Sequence, residues 1–69
     1  MIPCIGDVWQ VTRGGKHNFV LVTNVAIVPH TVHEEYEVGY QILRGNGEGR
    51  TDWDIINSRT RWRWRKVTD

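Results

Sequence analysis

The sequence predicts an all-β domain: a small five-stranded barrel with one short helical turn before its last strand. Three observations predict it. Runs rich in β-branched and aromatic residues recur along the chain, glycine clusters separate them, and no segment holds a helical period beyond a single turn. The 69 residues have room for one domain, spanning 1–69. A chain of this size buries only about 60% of its unfolded surface, so it needs dense packing or some other staple. Cys4 is the single cysteine, which excludes an internal disulfide. Aromatic bulk is therefore the expected resource, from Trp9, Trp53, Trp62, Trp64, Tyr36, Tyr40 and Phe19.

The first strand is read at Gly6-Asp7-Val8-Trp9-Gln10-Val11-Thr12. Arg13-Gly14-Gly15-Lys16 is a tight turn, because paired glycines supply the positive φ that such turns demand. His17 to Val28 is the longest apolar run. Phe19, Leu21, Val25 and Ile27 alternate with Val20, Val22, Ala26 and Val28, so both faces read as apolar. Either the strand is covered on both sides or a bulge near Thr23-Asn24 shifts its register. After Pro29, a third strand alternates cleanly, with Tyr36, Val38, Tyr40 and Ile42 facing one way and Glu35, Glu37 and Gln41 the other. Gly45-Asn46-Gly47-Glu48-Gly49 is a turn, Arg50 to Asp54 a fourth strand, Ile55-Ile56-Asn57-Ser58 the helical turn, and Arg61 to Val67 the fifth strand.

Short strands, glycine hairpins and a helical turn before the last strand describe an SH3-like barrel. The alternative is a five-stranded OB-type barrel, which carries a longer helix and more residues. In the SH3-like plan the first and last strands are neighbours, which places Trp9 near Trp62 and Trp64.

The net charge is only +1, yet charge is segregated. Residues 59–66 (Arg59-Thr60-Arg61-Trp62-Arg63-Trp64-Arg65-Lys66) hold five of the nine cations and no acid, while residues 33–38 hold Glu34, Glu35 and Glu37 and no Lys or Arg. A near-neutral total argues against a dedicated genomic DNA binder. Segregation points to a local anion site or to complementary patches meeting in a homodimer. Read as a strand, the tract places Trp62 and Trp64 on one face and Arg61, Arg63 and Arg65 on the other. The core claims the tryptophans. The arginines repel one another and call for an anionic partner: the Glu35/Glu37 face of this chain or a second copy, another protein, or phosphate. The expected binding set is Arg59, Arg61, Arg63, Arg65 and Lys66 with Trp64 and Trp9, extended by Arg13 and Lys16 of the glycine turn.

Other chemistry-bearing residues give weaker signals. His30 and His33 bracket Thr31-Val32 beside Glu34 and Glu35, a loop spacing that does not define a metal site. His17 beside Lys16 has no Ser, Cys or carboxylate placed to complete a catalytic centre. Asp52 and Asp54 lack a third acidic ligand and are read as solvated or paired with Arg50. Nothing near Cys4 activates it, and the glycine-rich turn lacks the lysine and following helix of a phosphate loop. No catalytic residue, metal or cofactor is expected. Met1 to Gly6 lacks a basic start and a long apolar run, and no apolar stretch nears the roughly 20 residues of a membrane span. The expectation is a cytoplasmic protein.

The opening Gly6-Asp7-Val8-Trp9, the glycine turn, the Val-rich strand and the closing Trp64-Arg65-Lys66-Val67 resemble small uncharacterised bacteriophage and prophage proteins. That resemblance implies a small β-barrel in an accessory role. Gly6 to Val11, His17 and Phe19-Val20-Leu21-Val22-Thr23-Asn24 are similar to the N-terminal part of the MazF/PemK toxin ribonucleases, SH3-like dimers that cleave single-stranded RNA. Where that family has an active-site arginine followed by proline, this chain has Asn18-Phe19, and it is too short for the family's C-terminal half. The Gly-Asp-Val start is also similar to KOW-type barrels. The leading functional expectation is a non-enzymatic module, phage-encoded, that docks on a host protein as an accessory or inhibitor. The alternatives are nucleic-acid or nucleotide binding through the same arginines, and a reduced MazF-like endoribonuclease.

Overall fold

The computed structural model describes residues 2–28 and 35–67. Five antiparallel strands form one sheet: β1 (Val8–Arg13), β2 (Lys16–Ile27), β3 (Tyr36–Arg44), β4 (Thr51–Ile56) and β5 (Trp64–Lys66). Their spatial order is β4-β3-β2-β1-β5, and a single 3-10 turn at Arg61–Arg63 precedes β5. The all-β class, the strand count, the pairing of first and last strands and the helical turn ahead of β5 are those the sequence predicts.

Gly14 and Gly15 make the first hairpin. Arg13 pairs with Lys16, and the two glycines between them take φ of 56° and 78°. Two positive-φ residues in succession are what a type I′ turn requires, and its twist matches that of the strands it joins.

In β2 the bulge is the correct alternative. Register shifts fall between Phe19 and Val20 and between Val22 and Asn24. Val20 and Val22 are fully buried, whereas beyond the second shift it is Val25 that packs on the core and Ala26 and Ile27 that are exposed. One extra residue flips the inward parity, so a run that reads as two apolar faces serves a single core.

That core comprises Trp9, Val11, Val20, Val22, Val38, Tyr40, Ile42, Ile56 and Trp64. Trp64 meets Trp9 edge-on at 6.0 Å and Tyr40 at 5.6 Å. The contact with Tyr40 shows how strongly the sheet curls, because β1 and β2 lie between β5 and β3 in the hydrogen-bonded order. Each such aromatic pair adds about 0.5–1.5 kcal/mol beyond the area it buries.

Two sequence expectations are corrected at the β4–β5 connection. Ile55 and Ile56 are strand, not helix, since Ile56 pairs with Tyr36 and is buried. The helical turn lies later because Asn57 and Thr60 close the chain first. The Asn57 side-chain oxygen accepts from the amides of Arg59 (2.8 Å) and Thr60 (3.1 Å). The Thr60 hydroxyl accepts from the Asn57 amide (3.0 Å) and donates to the Ile55 carbonyl (2.7 Å). Asn and Thr favour such local side-chain bonds over regular structure. The fifth strand accordingly begins at Trp64 rather than Arg61.

β4 and β5 are the two sheet edges. On β4 the Trp53 and Ile55 amides donate to the carboxylates of Asp52 and Asp54 immediately before them, both at 2.8 Å. Such bonds occupy edge donors that another strand would otherwise capture. Of the two alternatives for these acids, the pairing with Arg50 is not formed within ion-pair distance among the described residues. Among the described residues, no helix is long and apolar enough to cross a membrane.

Candidate anion-binding surfaces

The Arg/Trp tract does not form the two-faced strand that its alternation suggests. Arg61, Trp62 and Arg63 belong to the 3-10 turn, and only Trp64, Arg65 and Lys66 pair with β1, opposite Val11, Gln10 and Trp9. Trp64 and Trp9 are core side chains, 7% and 4% exposed. Trp62 is not core: it is 71% exposed, and the Arg63 guanidinium lies 5.5 Å from its ring centroid. A three-residue turn breaks strand parity, so the tryptophan two positions before Trp64 points elsewhere.

The cations disperse with the backbone. Arg65 stands on the outer face of β5, where its neighbours across the sheet are Gln10 and then Phe19. Lys66 turns toward Asp7 at 3.9 Å, the ion pair found among the described residues. Arg61, Arg65 and Lys66 rim a groove floored by Trp9 and Trp64 and walled by Pro3 and Ile56. Arg59 lines a separate hollow with Glu35, Asn57 and Ser58, yet forms no ion pair with Glu35. None of the four arginines meets a carboxylate within ion-pair distance among the described residues, so of the alternative partners the Glu35/Glu37 face of the same chain is not used.

Asp7 anchors the start of the chain. Its Oδ2 accepts from the Cys4 amide (2.9 Å) and from the Trp9 indole N–H (3.4 Å). The Cys4 amide is the chief reason its carboxyl is held below the ordinary value. Burial opposes that shift, while Trp9 and Lys66 reinforce it.

Arg13 and Lys16 form a second cationic locus. They line a cleft with Arg50 between the β1–β2 turn and the β3–β4 turn, over a floor of Tyr40 and Ile42. Arg50 was missed by sequence reasoning, which treated it as a strand start. Only the hairpin geometry brings it across from Lys16. Tyr40 lines this cleft, and its phenol is pushed above its ordinary value first by burial and then by the charge of Asp52, which the nearby Arg13 charge opposes.

The remaining sequence candidates take structural roles or lie elsewhere. His17 shares a 2.8 Å hydrogen bond with the Thr12 hydroxyl. Asn18 clasps Asn46 through two hydrogen bonds. Cys4 is exposed. Among the described residues, no group of three or more His, Cys, Asp or Glu is placed to hold a metal. His30, His33 and Glu34 fall outside the described residues. Comparison of the chain with protein-family models, with curated proteins and with solved structures finds no match.

Proposed function

We propose that this protein is a non-enzymatic binding module that docks on an acidic surface of a partner protein through Trp62 and the arginines around it. The observation that carries this reading is the Trp62 indole, 71% exposed beneath a guanidinium. A large exposed ring costs solvation unless a partner covers it, and binding hot spots are enriched in Trp and Arg. Arg59, Arg61, Arg63 and Arg65 add cations that no carboxylate neutralises within ion-pair distance among the described residues. The phage resemblance makes an accessory or inhibitor of a host protein the form this role takes.

The test is affinity capture followed by titration of the purified captured protein. Trp62→Ala, and Arg61→Glu combined with Arg63→Glu, should melt like the parent and lose at least about 2 kcal/mol of binding, roughly thirtyfold. Retention of the same partner by both variants would overturn the reading. The exposed indole with its stacked guanidinium also favours a second reading, a stacking platform for single-stranded nucleic acid. That reading requires oligonucleotide affinity to fall steeply with salt as counterions are released. A flat salt response excludes it.

A further inference from the structure

A cleft between the β1–β2 and β3–β4 turns gathers cations that the Trp62 surface does not use. Its lining brings together Arg13, Lys16 and Arg50 with one acid, Asp52, a formal excess of two positive charges. Arg50 is distant in sequence from the other two and meets them only through the hairpins. Arg13 and Lys16 face each other across the glycine turn. Arg50 is fixed by its own backbone, whose carbonyl accepts from the Ile42 amide at 2.8 Å and whose amide donates to the Gly47 carbonyl at 2.9 Å.

The far wall is held rigidly. Asn18 donates its amide to the Asn46 carbonyl (3.2 Å) and accepts from the Asn46 amide (3.0 Å), tying the β3–β4 turn to β2. Gly45 permits this approach. It sits at φ 123°, and a Cβ there would collide with the Asn18 side chain. This clasp ties the β3–β4 turn in place beside the cleft, which lowers the ordering cost of binding. Its volume of about 450 Å³ lies within the usual range for small-molecule sites.

The polar groups are complementary to one chemistry. Guanidinium and ammonium groups converge on an anion, and a phosphate monoester carries nearly two negative charges at neutral pH, which matches the excess. The Tyr40 hydroxyl, which lines the same cleft, is a further donor. Among the described residues Asp52 accepts from the Trp53 amide through Oδ1, and its other oxygen has capacity for a ligand hydroxyl. Tyr40 and Ile42 offer an apolar floor. We infer that this cleft binds a small hydroxylated phosphate monoester, a sugar phosphate or nucleoside monophosphate, with Lys16, Arg13 and Arg50 on the phosphate and Asp52 on a hydroxyl. The site is separate from the Trp62 surface, and neither depends on the other.

Calorimetric titration with ribose phosphate, AMP, inorganic phosphate and ribose tests it. Ribose phosphate and AMP should bind saturably and ribose should not. Lys16→Glu and Arg50→Glu, on exposed turns, should each weaken ribose phosphate by about tenfold or more, the loss of one charge-assisted contact. Asp52→Asn should weaken ribose phosphate relative to inorganic phosphate. In the unaltered protein, backbone amide NMR signals of Lys16, Gly47 and Thr51 should shift on adding ribose phosphate, a readout independent of any variant's folding. Absence of saturable phosphate binding, equal binding of ribose, or unchanged affinity in both charge-reversal variants would overturn the proposal. So would a short oligonucleotide binding more tightly than AMP through the same residues, which would assign the cleft to a polymer backbone. Retained ribose phosphate binding in Trp62→Ala separates this site from the docking surface.

Discussion

Trp62 and Trp64 are two residues apart, yet one is 71% and the other 7% exposed. Both lie in the same cation-tryptophan alternation, so local sequence hardly distinguishes them. The difference is set by the backbone beneath each: Trp62 rides a 3-10 turn, while Trp64 is clamped in strand register opposite Val11. The lesson is that alternation specifies faces only after tertiary pairing decides where a strand begins.

The sharpest way to break the comparison is to truncate both rings. Trp64→Ala should cost about 3–5 kcal/mol, since it empties the space between Trp9 and Tyr40. That is a large share of the roughly 3–10 kcal/mol a domain of this size possesses, so much of the protein should be unfolded in a denaturant melt. Trp62→Ala should stay within about 0.5 kcal/mol of the parent. Equal losses would show that the two rings do not differ as described. Trp64→Phe refines the test. The indole N–H of Trp64 is buried without a hydrogen-bond partner among the described residues. Replacing it with phenyl removes that donor, so the loss should be clearly smaller than for alanine.

A smaller effect probes why β5 starts where it does. Thr60→Val keeps the shape but deletes the hydroxyl that joins Ile55 to Asn57. The expected cost is about 1–2 kcal/mol for two lost hydrogen bonds. It should be accompanied by faster amide exchange at Arg61 and Arg63, whose amides donate to Asn57 and Thr60 carbonyls. Unchanged exchange there would mean that the Asn57–Thr60 bonds do not fix the turn.

The smallest effect is a pH dependence. Asp7 is held below its ordinary value of 3.8, first by the Cys4 amide. A lowered folded-state value means its contribution is whole above the unfolded value and vanishes as pH falls through the folded one. Asp7→Asn should therefore flatten the acid limb of a stability profile below about pH 4 while changing the neutral region modestly. Tyr40 has the opposite sign: its raised value gives stability that is present below pH 10.0 and lost as pH rises through the folded value. Tyr40→Phe should blunt the alkaline limb.

Much of this architecture was legible in advance for identifiable reasons. Gly14-Gly15 announces a hairpin, because positive φ in succession is cheap only for glycine. Tyr36, Val38, Tyr40 and Ile42 announce an inward face by simple alternation, and Trp9 was expected beside Trp64 once the first and last strands were paired. The β2 bulge was legible as an alternative and needed the register to decide it. The site was less legible. Arg50 joins Arg13 and Lys16 only across two hairpins, and Asn18 reveals its role only when the β3–β4 turn lies against it.

By itself, then, the sequence determined what short-range chemistry can impose: strand periodicity, glycine turns, the need for aromatic bulk, and a cationic tract near one end. Only the tertiary structure decided which tryptophan that bulk would be, which cations would share a cleft, and where the last strand would begin. Those choices depend on strand register and on contacts between residues far apart in the chain. A one-residue shift or a three-residue turn inverts them without altering a single local preference.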